Sequence, residues 1–187
     1  MRFMLCIILL MLGGCDQYST IKEAPTNIKN ITVTPGQQWN KVPAIASFGG
    51  VETWTIDGTS LDSVAFFAGI QDGKPIVKST KKEEYPVFKA DMLPNDLVEL
   101  VESSLAKYYE ARVTKSGTLQ PVAMGTEQGF QYEFEFITPD DLTRRGFIAG
   151  IVKNGLLNLI FFQGARLYYY EHHLDNIRGM LATIRIE

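Results

Sequence analysis

The segment from Phe130 to Phe136 alternates strictly between aromatic and polar side chains. Its aromatic residues fall at every second position, and Gln131, Glu133 and Glu135 occupy the positions between them. A period of two places the rings on one side of a β-strand and the polar groups on the other. The pattern therefore predicts a half-buried strand of an antiparallel sheet, with its aromatic face on a hydrophobic core.

Two more strands are predicted after this segment. A turn at Pro139-Asp140-Asp141 leads into Arg144–Val152, and Asn154-Gly155, a typical hairpin turn, leads into Leu156–Phe162. Leu156–Phe162 is the most apolar of these strands, which favours a central position in the sheet. Because hairpin turns reverse the chain, the strands of this half are expected to be antiparallel.

The first half of the chain shows shorter strand signals. They predict strands at 31–34, Val51–Ile56, Leu61–Ile70 and, at an edge, Pro75-Ile76-Val77. The stretch Trp39–Gly50 between them is expected to be a connecting loop.

Two segments have helical periodicity. The first runs from Asn95, its expected N-cap, to Ala111, and the second runs from about Leu167 to Ile184. Four apolar residues of the second helix are expected to face the sheet: Leu174, Ile177, Met180 and Leu181. The order strands, helix, strands, helix predicts an α+β fold in which two main helices flank an antiparallel sheet.

The N-terminus has the pattern of a signal peptide. Arg2 precedes the apolar stretch Phe3–Leu12, which is too short to span a bilayer but has the length of a signal-peptide core. The stretch ends in Leu12-Gly13-Gly14-Cys15, which resembles the lipobox of bacterial lipoproteins. The resemblance implies that residues 1–14 are removed and that Cys15 carries acyl chains such as palmitate. A buried N-terminal helix and a plain secretory signal are the alternatives.

Several expectations follow from a lipidated Cys15. The protein would be anchored to the bacterial envelope, facing the periplasm, with residues 15–30 as a polar tether and 31–187 as one globular domain. Asp16 resembles the signal that retains enterobacterial lipoproteins in the inner membrane; without that signal the outer membrane is expected. Cys6 would be lost with the signal peptide, so the mature chain would have no free thiol, no disulfide and no cysteine-ligated metal.

The polar residues give little sign of a particular chemistry. The formal net charge is −3, and the basic run Lys81-Lys82 is followed by Glu83-Glu84, which argues against a nucleic-acid partner. No cofactor-binding motif occurs, so no cofactor is expected. Glu171-His172-His173 is expected to be a solvated helix face rather than a metal site, because neighbouring helix residues point about 100° apart.

Paired carboxylates and aromatic clusters are the remaining candidates. Glu133 and Glu135 are expected to pair with arginines, with Arg145 standing near Glu135 across the hairpin, rather than to act as an acid–base pair. The run Tyr168-Tyr169-Tyr170 covers most of a helical turn, so at least one ring should be partly exposed, which makes these three tyrosines candidates for a contact surface.

Two resemblances cover much of the chain. A group of small bacterial lipoproteins with no assigned activity has segments that resemble Trp54–Gly58, Leu61-Asp62 and Phe66–Gly73, and the resemblance continues through Arg144-Arg145-Gly146 to the last helix. The overall order of elements is similar to the PsbP-like fold, a likeness of architecture alone. Together these features predict a lipid-anchored binding or assembly module with an envelope protein as partner. An envelope hydrolase using carboxylate or Ser–His chemistry is the alternative, and a purely structural lipoprotein is a third.

Overall fold

The computed structural model describes residues 18–78 and 84–187. The predicted signal peptide, the lipidation residue Cys15, the sorting residue Asp16 and the basic pair Lys81-Lys82 lie outside the described residues. Within the described ranges, no helix is both long enough and apolar enough to cross a bilayer.

Twelve strands and two α-helices form the described part of the chain. The strands are β1 (Ser19–Ile21), β2 (Thr26–Ile28), β3 (Ile31–Val33), β4 (Trp39–Lys41), β5 (Glu52–Thr55), β6 (Asp62–Ile70), β7 (Arg112–Ser116), β8 (Gln120–Met124), β9 (Glu127–Ile137), β10 (Thr143–Lys153), β11 (Leu156–Ala165) and β12 (Arg185–Ile186). The helices are α1 (Pro94–Tyr109) and α2 (Tyr169–Thr183), and a short 3-10 turn covers Phe48–Gly50.

Nine of the strands form one antiparallel sheet. Its order is β1-β4-β5-β6-β11-β10-β9-β7, and β8 pairs with the other half of β9. A smaller antiparallel sheet has the order β12-β3-β2. One face of the large sheet packs on α1, and the opposite face packs on α2 and the small sheet. The α+β prediction is confirmed, and β11 lies in the interior of the sheet, between β6 and β10, as predicted.

The alternation of side chains divides the interior into two cores. On β6, Phe66 packs into the core under α2, while its neighbour Phe67 packs into the core under α1. Phe161 and Phe162 on β11 divide in the same way. Burying one such side chain contributes about 1.5–3 kcal/mol. The aromatic residues on each face of the sheet therefore stabilise the packing of the helix on that face.

Strand β9 confirms the alternation between Phe130 and Phe136. Its aromatic side chains are at most 6% exposed and face α1. The rings of Tyr132, Phe134 and Phe136 stack along the strand at centroid distances of 5.5 Å. The polar side chains between them are half-buried on the other face, on the side of α2.

Both predicted helices are present, with a different N-cap for the first. Helix α1 is capped at Leu93, not at Asn95, because the Asp96 carboxylate accepts the Leu93 N–H at 2.9 Å and Pro94 needs no partner for its nitrogen. The helix ends at Glu110, whose backbone is left-handed with φ of 52°. In α2, the four apolar residues predicted to face the sheet are all buried.

The predicted tether is wrong for the described part of residues 15–30. β1 pairs with β4, and β2 pairs with β3 and buries Ile28 against the α2-side core. The folded domain therefore begins near Ser19 rather than at residue 31. Strands of three residues are too short to show a sequence period, and these two are held by their tertiary partners.

Three further differences separate the predicted strands from the observed ones. The expected loop Trp39–Gly50 contains β4, which is paired on both sides and buries Trp39 completely. The sequence does not predict β7 and β8, because the residues of both strands are mostly exposed, those of β7 are mostly polar, and β8 contains a proline. In the part of the chain that the structure describes, the edge strand expected at Pro75-Ile76-Val77 is reduced to a bridge between Pro75 and Val87.

Candidate functional site

An open polar groove lies between α2 and the outer strands of the large sheet. Helix α2 packs on β10, β11 and β8, and Glu133 in the middle of β9 remains 30% exposed beside it. Two clefts of about 220 and 200 Å³ occupy this space and share Gly117 and Glu133. We call this space the α2 groove. Charged side chains from four elements line it: Glu133 and Glu135 from β9, Arg145 from β10, Arg178 from α2 and Lys115 from β7.

Glu133, at the centre of the groove floor, is held by two guanidinium groups. Arg145 donates to its Oε2 at 2.6 Å, and Arg178 donates to its Oε1 at 2.9 Å. Arg145 also pairs with Glu171 in the first turn of α2. Each of these ion pairs is partly exposed and is worth about 1 kcal/mol or less. Glu133 is therefore held in place as the shared partner of two arginines.

The pairing predicted for Arg145 is only partly right. Arg145 lies directly opposite Glu135 in the register of β9 and β10, as expected. Its guanidinium nevertheless pairs with Glu133 and Glu171, and Glu135 lies 3.9 Å from Arg166 instead. The expectation that these carboxylates form structural ion pairs is consistent with these contacts.

Gly117 brings the outer wall of the groove close to its floor. Its N–H donates to the carbonyl of Glu133 at 2.7 Å. A Cβ at this position would lie 2.5 Å from that carbonyl oxygen, so a side chain here would push the wall outward.

The three consecutive tyrosines have different environments. Tyr170 is fully buried, stacks on Phe162 at 5.5 Å and carries the Arg145 guanidinium 4.4 Å above its ring. Burial, reinforced by the charge of Glu133, raises the pKa of the Tyr170 hydroxyl above its ordinary value. Tyr170 is therefore a core residue, which corrects its assignment to a contact surface.

The other end of this run forms an exposed patch. Leu167 is 99% exposed and Tyr168 is 56% exposed. The Tyr168 ring stacks on His172 with a centroid distance of 4.8 Å, and Tyr169 packs edge-on against it at 5.3 Å. We call Leu167, Tyr168 and His172 the entrance patch. It adjoins the α2 groove, because the preceding residue, Arg166, approaches Glu135 on the groove floor.

A second group of ionisable side chains, which we call the Asp62 latch, lies between α2 and the turn that joins β5 to β6. His173 is 4% exposed and contacts Asp57, with its Nε2 2.8 Å from Oδ2. Asp62 is completely buried and accepts hydrogen bonds from the backbone N–H groups of Ile56 and Asp57, at 2.9 and 2.6 Å. Thr55 adds a hydroxyl donor at 3.2 Å.

Burial dominates the electrostatics of the latch. It raises the pKa of the Asp62 carboxyl, while the two backbone N–H groups and His173 act in the opposite direction. Single ligand atoms of Asp57, Asp62 and His173 lie within 4.8 Å of one another, so the latch has the donor types for a divalent cation. The hydrogen bonds that already engage both Asp62 oxygens give these side chains a structural role without a metal.

The latch corrects one prediction about the histidines. His172 is exposed, as expected of a solvated helix face, but His173 is buried one residue later. Asp57 follows one predicted strand and Asp62 lies in the next, and neither position predicts a contact with His173, 116 residues after Asp57. The sequence indicates the burial of His173 only through helical spacing. His173 is four residues before Ile177, so the two side chains lie on the same buried face of α2.

A third polar region lies on the α1 side of the sheet. Gln163 donates to Ser63 and to Tyr109 at 3.1 and 2.9 Å, beside a cleft of about 170 Å³. The side chain of Arg144 points to this side of the sheet and is 6% exposed. Its Nε and Nη1 atoms have no hydrogen-bond partner among the described residues.

Comparison with known proteins identifies the fold. No protein-family model matches the chain, and no curated protein matches it. The solution structure of cyanobacterial PsbP (CyanoP) from Synechocystis sp. PCC 6803 is similar, with a TM-score of 0.58 and 9% sequence identity. The match covers 94% of this chain and 95% of that one. The chain thus has a PsbP-like fold, as its order of elements predicts, and at this identity the likeness shows the fold alone.

Proposed function

We propose that this protein is a lipid-anchored binding module of the bacterial envelope and that it binds another envelope protein through the entrance patch and the α2 groove. The exposed Leu167–Tyr168 pair beside a groove lined by arginines is the observation that carries the proposal. Tyrosine and arginine are the residue types most enriched at protein interfaces, and an apolar centre with a charged surround is typical of them.

The groove supplies the polar half of this surface. Arg145 and Arg178 are already oriented by Glu133, so they lose little side-chain freedom when a partner binds. Lys115 and Arg166 extend the positive charge to both sides of the floor. A partner that presents carboxylates beside an apolar side chain fits this arrangement of cations around Leu167 and Tyr168.

Photocrosslinking in living cells tests the surface. A photoreactive phenylalanine analogue replaces Tyr168 in one variant and Leu93 in another. Leu93 is the matched control, because it is 67% exposed, immediately precedes the other helix and lies on the opposite side of the sheet. We expect a discrete crosslinked species from position 168 and none from position 93. Equal crosslinking at both positions, or none at 168, contradicts the proposed surface.

A second variant separates the groove from the patch. Arg178→Glu in the strain with the probe at position 168 reverses one charge of the groove and leaves the patch in place. We expect this change to weaken the crosslink strongly. Lys153→Glu is the control, because it reverses a cation paired with Glu127 at the far end of the sheet. If both reversals have the same effect, the groove does not take part in binding.

The lipid anchor is a separate part of the proposal. It rests on the run Leu12-Gly13-Gly14-Cys15 after a charged and then apolar segment. Cys15→Ser is expected to leave the precursor uncleaved and unlabelled by palmitate, and normal processing of this variant would refute the anchor. If Asp16 acts as an inner-membrane retention signal, Asp16→Ser moves the protein to the outer membrane.

A further inference from the structure

The position of β1 relative to Cys15 restricts how the folded domain sits on a membrane. Only Asp16 and Gln17 separate Cys15 from Tyr18, where the described fold begins. Three residue steps span at most about 11 Å of extended chain. A lipidated Cys15 would therefore hold β1 at the bilayer surface, a much tighter attachment than a tether ending at residue 30 allows.

β1 and the α2 groove lie at opposite edges of the large sheet. β1 is one edge strand, β9 forms the groove floor, and six strand spacings separate them. At about 4.8 Å per spacing, the groove lies about 29 Å from β1 along the sheet. An anchor attached at the β1 edge therefore lies near one edge of the sheet, and the groove lies near the opposite edge.

Charge and side-chain type agree with a membrane on the β1 side. Tyr18 is 49% exposed, and tyrosine is enriched at the level of lipid headgroups. Lys41 lies opposite Ser19 in the register of β1 and β4 and forms an ion pair with Glu52, and the exposed Lys22 follows the end of β1. The outer surface of α1, by contrast, carries exposed acids such as Asp96 and Glu99, which anionic headgroups would repel if the domain lay on that face.

We propose that the domain stands on its β1 edge, with Tyr18 and Lys22 against the headgroups of the bilayer that holds Cys15, and that the α2 groove faces away from this membrane. The inference rests on the proposed lipid anchor. It implies that the partner is reached about 29 Å above the anchoring bilayer, as a periplasmic domain rather than a segment within the same membrane.

Fluorescence quenching by lipids tests this orientation. The processed lipoprotein has no other thiol if Cys6 is removed and Cys15 is acylated, so a new cysteine can be labelled selectively. Lys22→Cys and Lys115→Cys form a matched pair at opposite edges of the sheet, and Leu167→Cys reports on the entrance patch. Each labelled protein is reconstituted into phosphatidylethanolamine–phosphatidylglycerol vesicles with or without headgroup-spin-labelled lipid.

The probe at position 22 is expected to lose most of its emission, while probes at positions 115 and 167 keep theirs. Inserting about ten Gly and Ser residues between Gln17 and Tyr18 should restore the emission at position 22, since a flexible linker releases the edge. Strong quenching at position 115 or 167 overturns the orientation and makes the entrance patch a membrane contact. A protein that takes no palmitate and leaves the membrane without detergent instead refutes the anchor itself.

Discussion

The α2 groove and the Asp62 latch place carboxylates against the same helix but in opposite environments. Glu133 in the groove is 30% exposed and pairs with the guanidinium groups of Arg145 and Arg178, which are themselves partly exposed to solvent. Asp62 in the latch is fully buried and is held mainly by backbone N–H groups. The difference indicates that the latch fixes α2 on the sheet, while the groove keeps charged groups available to a partner.

The largest effect is expected from removing the buried carboxylate. Asp62→Ala leaves the N–H groups of Ile56 and Asp57 without their acceptor and should reduce the free energy of unfolding by about 3 kcal/mol. Glu133→Ala removes two partly exposed ion pairs, each worth about 1 kcal/mol or less, and should therefore cost less than about 2 kcal/mol. Urea denaturation of both variants measures the contrast. Equal losses would mean that the two sites do not differ in the way their burial implies.

The two adjacent histidines sharpen the same contrast within one helix. His173→Ala opens space beneath α2 and removes the contact with Asp57, so we expect a loss of about 2 kcal/mol. His172→Ala removes an exposed ring that stacks on Tyr168 and should change stability by less than about 0.5 kcal/mol. Thermal denaturation of the pair provides the measurement, and a reversed order would show that His173 does not secure the helix.

Adjacent arginines extend the comparison to the α1 side of the sheet. Arg144 is buried, and two of its nitrogens have no partner within the described ranges, whereas Arg145 is partly exposed and paired. Arg144→Met should stabilise the protein by about 1 kcal/mol, because an apolar chain of similar length replaces a buried charge. Arg145→Met should instead lower stability slightly and weaken partner binding. If Arg144→Met is the more destabilising change, Arg144 has a partner that its contacts do not show.

The sequence predicts those parts of the molecule in which a pattern repeats. The alternation in β9, the apolar stripe of α2 and the Asn154-Gly155 turn between β10 and β11 are all present in the structure. In contrast, β1, β2 and β4 contain three residues each, too few to establish a period, and they lack the four consecutive β-branched residues and the following Pro35-Gly36 that predict β3. Their formation depends on partners that only the tertiary structure supplies.

The candidate site was less predictable for a related reason. The sequence makes Tyr168, Tyr169 and Tyr170 equal candidates for a contact surface. The exposure of each ring, however, depends on the residue at which α2 begins and on the position of Arg145. The contact between His173 and Asp57 joins residues 116 positions apart. Pairing of β9 with β10 fixes the strand register that places Arg145 opposite Glu135, but the Arg145 guanidinium lies over the Tyr170 ring and pairs with Glu133.

The smallest expected effect is the contribution of Asp62 in the latch to the pH dependence of the unfolding free energy. Burial raises the pKa of Asp62 above its ordinary value of 3.8, so the folded protein binds this proton more tightly than the unfolded chain does. The resulting stabilisation is fully present below the unfolded pKa and is lost as the pH rises through the folded pKa. Asp62→Asn cannot titrate at this position. The unfolding free energy of the wild type relative to Asp62→Asn should therefore decrease as the pH rises from the ordinary value. A constant difference, or one that increases with pH, would mean that hydrogen bonds from Ile56, Asp57 and Thr55 outweigh burial at this carboxyl.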